Sequence, residues 1–374
     1  MKTRAAVLNQ SPVPRPYAET KPLVIEEIDL AEPGHGEVLV RIVAAGLCHS
    51  DLSVINGDRP RPVPMALGHE ASGVVETVGP GVDDLGVGDH VIMVFMPSCG
   101  HCALCAEGRP ALCEPGAAAN GAGTLLGGAM RLKYKGEPVY HHVGVSAFAE
   151  RAVVSRRSVV KIDRDLPLDI AAVFGCAVLT GVGAVVNTAA LRAGQSAAVI
   201  GLGGVGLAAL LGAVAAGASE IVAVDLVESK RQFALELGAT AAIDPADPDA
   251  VAKVKEITGG GVDAAVELAG SVRALDFAYR ITRRGGVTVT GGLANPAHKL
   301  EIQQVSLVAE ERTLKGSYIG SCIPSRDIPR YIALYRAGRL PVDRLMTSRG
   351  TLEAINEAFD QLADGTTVRH VITP

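Results

Sequence analysis

The run Ala197-Ala198-Val199-Ile200-Gly201-Leu202-Gly203-Gly204-Val205-Gly206 is an apolar strand that ends in G-x-G-x-x-G. The residues that follow, 207–216, can all be helical. In such a turn the first glycine allows a tight bend, the second lets backbone approach a pyrophosphate, and the third lets helix pack on strand. The helix start then offers free N–H groups and a positive dipole end to phosphates. A glycine-rich turn alone carries little weight, so its surroundings matter. Strands at 221–225, 241–243, 262–267 and 286–290 alternate with helical stretches at 229–237, 251–258 and 274–281. That alternation predicts a doubly wound, parallel α/β unit. Asp225 closes the second strand, 19 residues beyond Gly206. A carboxylate there accepts both adenosine-ribose hydroxyls and repels a 2′-phosphate, which favours NAD over NADP. Lys230 is placed to help hold the ribose, or is a solvated helix lysine.

Upstream the texture differs. Short β segments at 38–43, 73–78 and 91–94, with the turn Gly79-Pro80-Gly81, suggest a small barrel-like or sandwich domain. After about residue 315 comes a mixed tail with helices near 328–337 and 352–365. The α/β unit therefore looks inserted between two parts of the first domain. A chain of 374 residues exceeds one ordinary core and suggests two domains. Hydrophobic residues at 48% and charged ones at 20% fit a globular protein. With aromatics at 3% and no tryptophan, the cores must be built from Val, Leu, Ile and Ala.

A net charge of -5 without blocks of like charge gives no nucleic-acid footprint and no basic membrane-surface helix. The first ten residues read as a strand and lack the apolar stretch and cleavage site of a signal peptide. The longest apolar run, 199–218, is broken by glycines and carries the dinucleotide motif, so a membrane span is the weaker reading. A cytoplasmic protein with no nucleic-acid or membrane partner is expected.

Four of the seven cysteines fall within fifteen residues, as Cys99-x-x-Cys102-x-x-Cys105-x7-Cys113. Soft thiolates at this spacing suit tetrahedral zinc, and four protein ligands leave no position for substrate, so the ion would be structural. A redox CxxC pair accounts for only two of them. The remaining candidates lie far apart: Gly46-Leu47-Cys48-His49-Ser50-Asp51, Gly68-His69-Glu70 and Gly175-Cys176. Singly, each reads equally well as a buried cysteine or a satisfied histidine.

Taken in order, these three segments, the four-cysteine loop, Gly175-Cys176-Ala177-Val178-Leu179-Thr180-Gly181 and the glycine turn resemble the zinc-containing medium-chain alcohol dehydrogenases. The resemblance runs from about Thr3 to the C-terminus. It implies a GroES-like, β-rich catalytic domain at 1–177, with a structural-zinc lobe at 97–115, and a return to that domain at 317–374. It implies a Rossmann coenzyme domain at 178–316. It also implies a catalytic zinc on Cys48, His69 and Cys176 with an open fourth position, Glu70 lying behind the metal and able to approach it. By the same resemblance Ser50 contacts the substrate oxygen and begins proton release, while Asp51 orients His69. His49 and Arg369 meet the pyrophosphate, Arg369 being otherwise a surface charge. Thr180 and Val205 pack at the nicotinamide, and Gly292 and Leu293 touch it through backbone. Phe95 and Phe148 line an apolar pocket, or are core. Relatives often carry a relay histidine five residues after the first zinc cysteine; here that residue is Ser53, so water or another group must complete the relay. Two zinc ions per subunit account for six cysteines and leave Cys322 as an ordinary thiol.

The expected substrate is a primary alcohol or aldehyde with a hydrophobic aliphatic or aromatic group. The alternative is S-(hydroxymethyl)glutathione, as in glutathione-dependent formaldehyde dehydrogenase, which this chain also resembles. That subfamily uses acidic residues after the first zinc segment and an arginine after the fourth structural cysteine. Here Asp58-Arg59-Pro60-Arg61 and Glu114-Pro115-Gly116 stand instead. The long loop from 113 to 148, which shorter tetrameric relatives mostly lack, favours a homodimer. A zinc-free quinone reductase would lack Cys48, His69 and Cys176, and a zinc-ribbon nucleic-acid binder would need a basic surface around its cysteines. A non-catalytic, redox-sensing NAD-binding protein is opposed by the intact ligands and Ser50.

Overall fold

Strands Ser196–Ile200, Glu220–Val224, Ala241–Ile243, Val262–Glu267, Thr282–Thr290 and Thr313–Gly316 form one six-stranded sheet in the computed structural model, which describes all 374 residues. Counted in chain order they lie 3-2-1-4-5-6, every neighbouring pair parallel. This is the doubly wound order, and it leaves a crevice where the direction of winding reverses, between the first and fourth strands. The helices Gly204–Ala215, Glu228–Glu236, Ala250–Ile257 and Val272–Ile281 are the crossovers. Such strands are covered on both faces, which is why Ser196–Ile200 is buried at every position. One core cluster joins Ala198, Ile200, Val222, Val224, Val254 and Ile281 around the aromatic Phe277.

The other unit carries two β systems. Lys2–Leu8, Leu23–Leu30, Leu132–Tyr134, Glu137–His141 and Met65–Ala66 close a small barrel. A second sheet runs Val159–Ile162, His90–Met93, Glu70–Val78, Glu37–Gly46, Arg369–Thr373 and Met346–Thr351, with Arg151–Ser155 also paired to Glu37–Gly46. The segment from 113 to 148, read from sequence as a loop, carries a helix and a hairpin. Helix Glu114–Ala122 starts there, the sulfur of Cys113 accepting the N–H of Gly116. Leu132–Tyr134 and Glu137–His141 then form a hairpin whose two turn residues, Lys135 and Gly136, sit at φ 52° and 89°. Positive φ at both central positions matches the twist of the flanking strands, and this hairpin completes the barrel. Its residues lack a long alternating pattern, so the hairpin escaped the sequence reading.

By contacts the units are Met1–Cys176, Ile323–Pro329 and Met346–Pro374, and Ala177–Cys322 with Arg330–Leu345. The chain therefore returns to the first unit later than residue 317, and in two pieces, Ile323–Pro329 and Met346–Pro374. Past the sixth strand the chain stays bonded to the α/β unit: Ser317 N–H donates to Thr290 O at 2.8 Å and Cys322 Sγ to Leu179 O at 3.2 Å. Farther on, Arg344 Nη1 donates to Glu236 O at 3.1 Å. No single helix is long and apolar enough to cross a membrane.

Candidate metal centre and coenzyme turn

The strand Glu37–Gly46 delivers Leu47 and Cys48 to the start of helix His49–Ile55. Cys48 caps that helix, and its N–H donates to Asp51 Oδ2 at 3.2 Å. Gly68, at φ +95°, turns the chain so that His69 faces inward; a Cβ there would lie 2.4 Å from Phe148 N. Cys176 follows the short turn Val173–Gly175. The ligand atoms of Cys48, His69 and Cys176 all lie within 4.8 Å of one another, and all three residues are buried.

His69 Nδ1 stands 3.0 Å from Asp51 Oδ1, while its Nε2 is buried with no hydrogen-bond partner. An orphaned imidazole nitrogen beside two sulfurs is what a three-ligand metal site requires, and Cys₂His sites leave the fourth position open. Burial opposes a charge on His69, yet Asp51 overrides it and holds the imidazole well above its usual range. Cys48 is drawn well below the ordinary thiol range, chiefly by a hydrogen bond from Cys176, then by His69 and Arg369. Cys176 is raised by that same bond and by burial. A divalent cation would resolve the competition between the sulfurs by deprotonating both.

Asp51 is fully buried and does more than touch His69. Its Oδ1 also accepts Gly68 N–H at 3.3 Å and stands 3.1 Å from His142 Nδ1. Burial would push this carboxyl up, but the two histidines hold it below its ordinary range. Glu70 is buried beside the centre, with Oε1 3.6 Å from Arg369 Nε. Arg369 is itself only 3% exposed and donates through Nη1 to Leu47 O at 2.7 Å, so it is not a surface charge. Burial would lower the guanidinium, but Glu70 and the two cysteines raise it. His49 is exposed and Ser50 half-buried at the helix start. Ser53 Oγ donates back to His49 O at 2.5 Å.

Of the two pocket phenylalanines, Phe95 is half-buried and meets the His69 ring edge-on, centroids 5.4 Å apart. Phe148 is corrected: it has no exposed surface and packs against Phe359 at 6.0 Å in the main core. Its backbone explains the burial, since its N–H donates to Leu67 O and its carbonyl accepts Ala6 N–H, locking the side chain inward between strands.

The second cluster joins Cys99, Cys102, Cys105 and Cys113, whose sulfurs lie within 4.8 Å of one another, none in a disulfide. Backbone N–H groups aim at the sulfurs: Cys99 N to Cys113 Sγ at 3.1 Å and Cys102 N to Cys99 Sγ at 3.3 Å. Cys99 is lowered to about 7, first by the His101 N–H, whereas burial pushes Cys105 up to about 12. Four sulfurs so close cannot all ionise without a cation, and this donor set fits zinc.

In the α/β unit the three glycines of the turn behave differently. Gly201 has φ +91°, Gly203 faces open space, and a Cβ on Gly206 would sit 1.7 Å from Gly201 O. Bend, approach and packing are thus divided among them, and the turn fits a pyrophosphate. Asp225 Oδ2 accepts Leu202 N–H at 2.7 Å and Oδ1 accepts Val227 N–H at 2.9 Å, tying the second strand to the glycine turn. Lys230 is half-buried on the helix that follows; Thr180, Val205 and Gly292 are half-buried and Leu293 is exposed. Gly204 begins the helix Gly204–Ala215. Sequence reasoning missed His142 and Asn120. The adjacent pair His141-His142 was a visible signal for the first, whereas the second carried none.

Known proteins bear on this geometry. Residues 34–164 match the alcohol dehydrogenase GroES-like domain, and 204–337 match the zinc-binding dehydrogenase family. The chain is 43% identical to the NDMA-dependent alcohol dehydrogenase of Amycolatopsis methanolica, covering 100% of this chain and 99% of that protein. It superposes on an alcohol dehydrogenase zinc-binding domain protein from Burkholderia ambifaria with TM-score 0.94 at 38% identity, over 100% and 99% of the two chains. The benzyl alcohol dehydrogenase of Acinetobacter calcoaceticus gives TM-score 0.93 at 34% identity, again over 100% and 99%. The chain belongs to the zinc-containing medium-chain alcohol dehydrogenase family. It is a zinc-dependent alcohol dehydrogenase, with a GroES-like domain and a doubly wound α/β domain.

Proposed function

We propose that this enzyme oxidises primary alcohols bearing an apolar or aromatic group, reversibly, with NAD as hydride acceptor. The observation that carries the reading is the buried, unpartnered Nε2 of His69 beside Cys48 and Cys176. Those three residues would hold the catalytic zinc, and Cys99, Cys102, Cys105 and Cys113 a structural one. When bound, the catalytic ion supplies Lewis acidity to the alcohol oxygen. Asp51 keeps the proton on His69 Nδ1 and so turns Nε2 to the centre. Ser50, half-buried at the start of its helix, would accept the first proton while passing its own hydroxyl proton to water, since Ser53 donates instead to the His49 carbonyl. The edge of Phe95 on the His69 ring supplies an apolar wall.

NAD rests on this chain's own turn, with Asp225 at the ribose and Lys230 beside it, since the Amycolatopsis relative is described as NDMA-dependent. His49 and Arg369 would meet the pyrophosphate, Thr180, Val205, Gly292 and Leu293 the nicotinamide. The benzyl alcohol relative favours an aromatic substrate. The outer edge of Thr313–Gly316, with Val305 and Val308 at 59% and 72% exposure, suits a homodimer. The test is reduced-coenzyme formation across a panel of alcohols, with and without chelator. Cys48→Ser should abolish turnover and remove one zinc per chain while leaving coenzyme affinity within twofold; retained turnover would overturn the metal assignment.

A further inference from the structure

The ring that Phe95 sets edge-on against His69 is steered from outside the metal centre. Phe95 leads directly into the four-cysteine lobe, with only Met96, Pro97 and Ser98 before Cys99. On the far side of that lobe Cys113 starts helix Glu114–Ala122, its Sγ accepting the N–H groups of Cys99 at 3.1 Å and Gly116 at 3.4 Å. The helix then lies back on the segment that entered the lobe. A Cβ on Gly116 would sit 2.0 Å from Pro97 O and 3.2 Å from Met96 Cε, so the first turn rides directly on residues 96–97. One turn later, on the same helix face, Asn120 reaches Phe95 itself. Its Nδ2 donates to Phe95 O at 2.8 Å and stands 3.7 Å from Met96 Sδ.

Asn120 is 5% exposed, and its Oδ1 is buried with no hydrogen-bond partner. Turning the amide over would set that oxygen against the Phe95 carbonyl, so the carbonyl decides which half of the amide is satisfied. An unpaired amide oxygen in the interior is costly, whereas an apolar side chain of the same size carries no such cost. Packing alone therefore does not call for an amide at this position; the grip on Phe95 does. The main-chain carbonyl of Asn120 accepts Arg61 Nη1 at 3.1 Å, which ties in the loop joining helix His49–Ile55 to Met65–Ala66. That bond does not involve the side chain, so substitution at 120 isolates the contact with Phe95.

Resting on the reading of Phe95 as an apolar wall, we propose that Asn120 is a positioning residue that makes substrate selectivity depend on the four-cysteine centre. The four cysteines, once loaded, fix the helix start; the helix fixes Asn120, and Asn120 fixes the wall. The experiment compares kcat/KM for benzyl alcohol and ethanol, with zinc content measured on every variant. Asn120→Asp keeps the shape but loses the N–H donor, and Asn120→Ala removes the amide altogether. Each should cut the benzyl-to-ethanol ratio about tenfold, through KM for benzyl alcohol, with zinc content as in the wild type. In a Phe95→Leu background Asn120→Ala should shift the ratio by less than about twofold, because residues acting through one contact are not additive. An unchanged ratio in the single variants, or a fully additive shift in the double variant, would overturn the proposal and leave Asn120 a helix anchor. Cys113→Ser should lower the ratio in the same direction as it releases its ion, and a wild-type ratio there also refutes the proposal. If Phe95→Leu by itself leaves the ratio unchanged, the pocket-wall reading has failed, and that result is distinct from a failure at Asn120 alone.

Discussion

Gly203 and Gly206 are three residues apart in one turn, yet alanine should act on them in opposite ways. At Gly203, φ is −75° and ψ −174°, extended backbone that alanine adopts freely, and a Cβ would meet nothing within 4 Å. Gly203→Ala should therefore change stability by no more than about 0.5 kcal/mol. The open space is where the pyrophosphate is expected, and a methyl group there displaces it from the backbone N–H donors. A lost charge-assisted hydrogen bond is worth roughly 1.5–3 kcal/mol, or roughly ten- to a hundredfold in coenzyme Kd. At Gly206 a Cβ would lie 1.7 Å from Gly201 O and 2.9 Å from Gly201 C, so helix and strand must separate. Gly206→Ala should destabilise the α/β unit by about 1–3 kcal/mol or more. Thermal unfolding and coenzyme titration on both variants separate the effects. A Gly203 variant that melts early, or that binds coenzyme as tightly as wild type, would refute this assignment of the turn.

Two further outcomes are expected. His141 is held at about 4, by burial first and then by Arg131, and its Nε2 accepts Arg131 N–H. Its folded value lies below its unfolded one, so the native state resists protonation: stability is complete above about pH 6.5 and falls by about 3 kcal/mol as pH drops toward 4. His141→Gln should flatten that part of the pH–stability curve measured by denaturant unfolding, and an unaltered slope would show that another group is responsible. Cys113→Ser should release one zinc per chain and open the loop from 99 to 113 to protease while leaving coenzyme affinity intact; metal analysis and limited digestion report both.

The α/β unit was legible because its signals are local: five of the six strands and all four crossover helices follow from apolar runs broken by turns. The four-cysteine cluster was legible for the same reason, its ligands lying within one loop. Cys48 and His69 meet through the pairing of Glu37–Gly46 with Glu70–Val78, where Gly46 lies opposite Glu70, and Cys176 joins them from the turn Val173–Gly175, so spacing could not reveal them and family order had to. Phe148 misled because an aromatic after a glycine-rich segment looks alike in a pocket wall and in a core. Its inward lock is set by backbone bonds to Leu67 and Ala6, more than seventy residues away in each case. The barrel hairpin at 132–141 was hidden by its short strands. His142 and Asn120 were silent because a single polar residue acquires meaning only from what the fold sets beside it.

The strand Arg369–Thr373 lies between Glu37–Gly46 and Met346–Thr351 in the sheet that carries the metal ligands. During synthesis, then, the α/β unit can be complete while the sheet around Cys48 still lacks the strand that flanks Glu37–Gly46 and the buried guanidinium of Arg369. Domains generally fold as their residues emerge, so the nested coenzyme unit should mature first. Capture of the catalytic ion would then wait for the strand Arg369–Thr373. Nascent chains stalled before residue 369 should accordingly hold zinc poorly at Cys48, His69 and Cys176.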